Sequence, residues 1–127
     1  MTDKTHDYGV FSIEKALSVL WKECECTAPE ALIEWFASHA TEEAGRQLLN
    51  LAEVMEGVGC LVSTDANNTS GAGNFQDGNS VSTLLFSLSS QVSALGELAA
   101  IGGQAGYWLR HPDSRKAMAA AMEEGQP

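Results

Sequence analysis

Basic residues are scarce in this chain. No Lys or Arg occurs between Lys22 and Arg46, and none between Arg46 and Arg110. Seven bases stand against 17 acids, a formal net charge of −10. Without clustered cations the chain has nothing with which to neutralise a nucleic-acid backbone, and no polybasic segment to hold anionic lipid. What such a charge attracts is a basic protein surface, including one that normally receives DNA or RNA. Alternating β-branched runs are missing as well, which removes any strand expectation. No internal repeat is visible.

Paired cysteines are also lacking. The count is three, and Cys24 and Cys26 are too close for a helix-compatible bridge. The first 25 residues carry Asp3, Lys4, Asp7, Glu14, Lys15 and Lys22, so no continuous apolar leader stands there. Free thiols and no export signal lead to the expectation of a reducing, cytoplasmic setting. Catalytic signatures are absent too: no H-E-x-x-H, and no nucleophile–histidine spacing that defines a triad. The expectation is therefore a non-enzymatic protein with no cofactor and no metal. A zinc set of Cys24, Cys26 and Cys60 with one of His6, His39 or His111 is disfavoured, because Cys24 and Cys26 would point about 200° apart unless the helix ends between them.

What is present reads as helix. At 127 residues with 44% hydrophobic content, the chain fits one domain, 1–127, with enough apolar matter for a core. After Ser12, an N-cap, the residues Ile13, Ala16, Leu17, Leu20, Trp21 and Cys24 form one stripe of a helix over about 13–25. Thr27-Ala28-Pro29-Glu30 reads as a capping box opening a second helix over about 28–39, with Ala31, Leu32, Trp35 and Phe36 inward. Thr41 reads as the cap of a third, whose stripe is Ala44, Leu48, Leu51, Ala52, Met55, Val58 and Val62, weakened near its end by Gly57 and Gly59. Ser80 would cap a fourth, with Val81, Leu84, Leu85, Leu88, Val92, Leu95, Ala99, Gly102 and then Leu109 inward and a bend at Gly102-Gly103. His111-Pro112 breaks it and starts a short fifth helix over about 113–123. The fold predicted is all-α, a small bundle of about five helices. Its two long helices form an antiparallel hairpin joined by a Gly/Asn-rich loop, and residues 1–11 and 124–127 are expected to be flexible.

The joining loop, Ser63 to Asn79, has the composition of a ligand loop but not its signature. It lacks the Lys of a P-loop. As an EF-hand starting at Asp65 it has Ser70 where glycine is needed and Gln76 where a bidentate Glu should sit. It reads as a long polar connection in which Phe75 is the one apolar residue able to make a contact.

Two candidate surfaces follow. Between Lys22 and Arg46 lie six acids and no base; Glu23, Glu30, Glu34, Glu42 and Glu43 are the expected face for a basic protein partner. Like charges at i,i+4 such as Glu30 and Glu34 cost only a few tenths of a kcal/mol, so stability does not forbid the arrangement. On the fourth helix, Ser89, Ser93, Gly96, Ala100 and Gly103 follow a 4-3-4-3 spacing, a ridge on which another helix can approach closely. In a membrane such spacing dimerises spans, but Gln91, Glu97, Gln104 and the serines speak against a span. In water it predicts tight packing inside the bundle or across a homodimer.

In make-up the chain is similar to small acidic helical accessory proteins of bacteria, phages and mobile elements. The leading functional expectation is a protein that inhibits or regulates a nucleic-acid-handling machine, in the manner of an anti-defence factor, by occupying a basic surface. The alternative is a structural homo-oligomer whose acids only keep it dispersed. A thiol or metal enzyme is the third and weakest reading.

Overall fold

A computed structural model describes residues 9–67 and 78–125. Among these the chain is all-helical, with four helices: α1 (Ile13–Cys24), α2 (Glu30–Ala66), α3 (Gly78–Arg110) and α4 (Pro112–Glu124). At 1.5 Å per residue, α2 and α3 are about 55 and 50 Å long. They run antiparallel along each other. The expected loop is shorter than Ser63–Asn79 at both ends, since Ser63–Ala66 and Gly78–Asn79 are helical. Phe75 and the rest of the loop's middle lie outside the described residues, as do most of residues 1–11 and the last two of 124–127.

The start of α1 follows its local chemistry. Ser12 is extended and its Oγ accepts the Lys15 N–H at 3.0 Å. The Thr27 capping box does not form. The N-cap of α2 is Pro29, without a side-chain bond, and the Thr27 hydroxyl turns back to the Cys24 carbonyl.

Four helices replace the five predicted because the second and third are one. Thr41 does not cap a new helix. Its hydroxyl donates across the hairpin to the Ala99 carbonyl at 3.3 Å, while the His39 Nδ1 pairs with the Trp35 carbonyl one turn back. No Pro interrupts this stretch, and the buried small residues Ala40 and Ala44 keep the α2 backbone regular against α3. Gly57 and Gly59 do not end α2 either, and α3 continues through Gly102-Gly103. The hairpin closes most tightly at Gly102. A Cβ there would meet the Thr41 backbone N at 2.8 Å and Ala40 Cβ at 3.2 Å, so only glycine fits.

The buried core lies at one end of this hairpin, here called the head. It comprises Trp21, Ala28, Ile33, Ile101 and Ala105, flanked by Leu17, Cys24, Phe36, Ala37, Trp108 and Leu109. The inward residue of α2's first turns is Ile33, 1% exposed, rather than the predicted Ala31, Leu32 and Trp35, which are exposed. Ile33, Phe36, Ala37, Ala40 and Ala44 form an unbroken 3–4 spaced stripe, and Trp35 sits off it.

Two indole N–H groups pin α1 beside α3. Trp21 Nε1 donates to Gln104 Oε1 at 2.6 Å, and one turn on, Trp108 Nε1 donates to Glu25 Oε2 at 2.9 Å. The equal four-residue steps make α1 and α3 parallel neighbours. Arg115 of α4 closes the head from below. Its Nε donates to the Glu25 carbonyl at 2.7 Å and its Nη2 to the Ala28 carbonyl, satisfying two acceptors of the α1–α2 turn.

Beyond the head the hairpin continues as a two-helix arm, roughly Gly45–Ala66 against Gly78–Ala100. In this arm Leu88 is the one large apolar side chain that is buried among the described residues.

Candidate interaction surfaces

The concavities are small or shallow. A cleft of about 140 Å³ sits under α4, lined by Cys26, Glu30, Ile33, Trp108, Arg115 and Lys116 among others. That is below the ~300–1,000 Å³ usual for ligand sites. Burial pushes the Cys26 thiol up, the Glu25 carboxylate adds to this, and Arg115 offsets part of it. A thiol raised in this way stays protonated and is a poor nucleophile. Cys60 is exposed far along the arm, so the three cysteines do not converge. Among the described residues no group of three or more His, Cys, Asp or Glu side chains is arranged to hold a metal.

All five predicted acidic-face residues are exposed, but they do not share one face. At 100° per residue, Glu30, Glu34 and Glu42 fall within about 120° on one side of α2. Glu43 lies about 180° from Glu34. There it is engaged with its own helix: Arg46 Nη2 approaches its Oε1 at 2.5 Å and Gln47 donates at 2.9 Å. The Arg46 and Gln47 hydrogen bonds hold the Glu43 carboxyl below the usual carboxylate range. Glu23 is separate again, on α1. Glu30 borders the cleft that also carries Arg115 and Lys116, and Glu42 shares a shallow concavity with Arg46, so Glu34 is the least balanced of the set. Glu25, the sixth acid of the stretch, is half-buried and taken up by Trp108. Its role needed a partner 83 positions away, which no local pattern signals.

Among the described residues the predicted self-association ridge is largely uncovered. Ser89, Gly96, Ala100 and Gly103 are exposed and Ser93 is half-buried. The glycine that does receive a neighbouring helix is Gly102, one position off the ridge. A Cβ added at Gly45, Gly59, Gly96 or Gly103 would meet nothing within 4 Å. Each such glycine costs its helix about 1 kcal/mol relative to alanine, and no contact among the described residues offsets that.

Comparison with family models, with curated proteins and with solved structures gave no match. The surfaces themselves are therefore the ground for any functional reading.

Apolar side chains are exposed in both regions: Val10, Phe11, Ile13 and Leu20 in and before α1, and a further set along the arm. Leu49 (72% exposed), Leu61 (58%), Leu85 (58%) and Phe86 (76%) stand in solvent, with Val54 and Val92 also exposed. A window of α3 is apolar and long enough to cross a bilayer, with 11% of it buried. The neighbouring α2 arm carries Glu53 and Glu56, and α3 itself carries Glu97.

Proposed function

We propose that the chain is a non-enzymatic, acidic helical interaction protein that engages a basic protein surface. In its most concrete form it is a small accessory factor of bacterial, phage or mobile-element type. It would inhibit or regulate a nucleic-acid-handling machine by covering a surface that otherwise receives phosphates. The observation that carries this reading is the row Glu30, Glu34 and Glu42 along one side of a rigid helix. All three are exposed, and among the described residues none has an ion-pair partner within 4 Å. Carboxylates on a fixed scaffold give orientation and on-rate toward a cationic patch. The protonated Cys26 and the small cleft around it support association rather than chemistry.

The test is capture of partners from the native host with the wild-type chain and with Glu30, Glu34, Glu42 and Glu43 all reversed to Lys, followed by mass spectrometry. Binding should vanish on reversal, weaken with added salt, and be competed by double-stranded DNA. A partner retained by the reversed protein, or unmoved by salt, would refute the electrostatic account.

The second reading is a structural homo-oligomer in which the acids only prevent aggregation. The exposed apolar residues of the arm favour it, and the two readings are compatible in one molecule.

A further inference from the structure

An antiparallel helix pair has two flat faces, and in this arm they differ. The register at Thr41 and Gly102 brings Leu88 level with Met55. Counting 100° per residue from the side each helix turns to the other, Leu48 and Ala52 of α2 and Leu85 and Val92 of α3 lie about 40–80° round, toward the same flat face. Gly45, Gly59, Gly96 and Gly103, four of the six helical glycines with open Cβ positions among the described residues, point to that face as well, whereas Gly57 does not. Within this arc neither helix of the arm carries a charged residue or a side-chain amide. Glu56 sits on its rim. The opposite face carries Gln47, Asp65 and Gln91 beside the exposed Val54 and Leu61, and in the head that side is covered by α1, whose Trp21 ring packs edge-on against Phe36.

We infer that the charge-free face of the arm is where a second copy of this chain docks, arm against arm and antiparallel, making a four-helix bundle. Three arguments select that occupant. The first is size: an arm about 33 Å long and 20 Å wide offers about 650 Å² per copy. That is about 1,300 Å² in all, within the ~1,200–2,000 Å² of stable interfaces. The second is charge. A basic partner finds nothing to pair with on this face, whereas a two-fold contact needs only the same neutral patch twice. Antiparallel pairing also puts the two acidic heads at opposite ends, well beyond the ~8 Å screening length. The third is shape. Glycine and alanine beside Leu85 and Val92 let backbones approach, and the uncompensated helix cost of the open glycines is then recovered between chains. This inference does not depend on the head's partner, and either can fail without the other.

The experiment is sedimentation of the full chain at physiological salt over the micromolar range, without lipid. The wild type should sediment as a dimer, twice the 13.5 kDa chain mass. Val92→Glu should weaken dimerisation at least tenfold, and Val54→Glu on the opposite face should leave it intact. Mild oxidation gives a second reading that needs no destabilising change. In a Cys60→Ser background, which removes the native exposed thiol of the arm, Ser89→Cys, near the centre of the face, should cross-link at least tenfold faster than Ser87→Cys on the other side. A wild type that stays monomeric, or that associates only in the presence of phosphatidylcholine vesicles, overturns the proposal. So do a dimer broken by Val54→Glu but not by Val92→Glu, and equal cross-linking at the two serines.

Discussion

Head and arm are built from the same two helices yet solve the burial problem differently. In the head, α1 and α4 supply the third and fourth walls, so Ile33, Trp21, Ile101 and Ala105 leave the solvent. In the arm, α2 and α3 have only each other. Two helices can hide the seam between them and little more, which is why Leu88 is buried while Leu85 and Leu49 are not. Helix length and core are separate properties: a 37-residue helix extends well past the point where the chain can cover it.

The comparison can be broken most forcefully at the core. Ile33→Ala should cost about 2–5 kcal/mol by leaving a cavity, and Leu49→Ala in the arm should fall within about 0.5 kcal/mol of wild type. Denaturant titration of both measures the contrast, and equal losses would remove the distinction between head and arm. The next largest difference is between glycines. Gly102→Ala forces a Cβ onto the Thr41 backbone and should destabilise by about 1–3 kcal/mol. Gly57→Ala, open and away from the proposed docking face, should stabilise by up to about 1 kcal/mol. A thermal melt of each gives the sign.

Arg115→Ala should cost about 1–3 kcal/mol, because the Glu25 and Ala28 carbonyls lose their donors. Arg115→Lys should not restore it, since one ammonium does not span both acceptors. The smallest effect belongs to the Glu43–Arg46 pair. Its carboxyl is held below the ordinary range, so any stabilisation is complete above that range and is lost as pH falls through the depressed value. Both side chains of the pair are exposed to solvent, so Glu43→Gln should leave the melting temperature unchanged at neutral pH.

Much of the local structure was legible in the sequence, and the reasons for the misses are particular. Ser12 caps α1 as its position before an apolar stripe implies. The long hairpin follows from the stripes of α2 and α3, and the break at His111-Pro112 from proline sterics. Thr41 misled because a threonine ahead of two glutamates is equally a cap or a mid-helix residue. Which it becomes is decided by the Ala99 carbonyl, 58 positions away. Ile33 was eclipsed by Trp35, although Ile33 continues the spacing to Ala40 and Ala44. The acidic stretch was visible as composition, but its division among Glu34, Glu43 and Glu25 is set by helix phase and by partners outside the segment.

The tryptophans have a practical consequence. Trp21, Trp35 and Trp108 all lie in the head, and between Phe36 and Tyr107 the chain has neither Trp nor Tyr. Tryptophan fluorescence, excited selectively, therefore sees the head alone, while far-ultraviolet circular dichroism weighs both regions by their helical residues. If the arm melts by itself, the two signals separate on heating. If a second chain locks it to the head's own cooperative transition, the curves coincide. The molecule thus carries its own pair of optical probes, one blind to exactly the part whose company is in question.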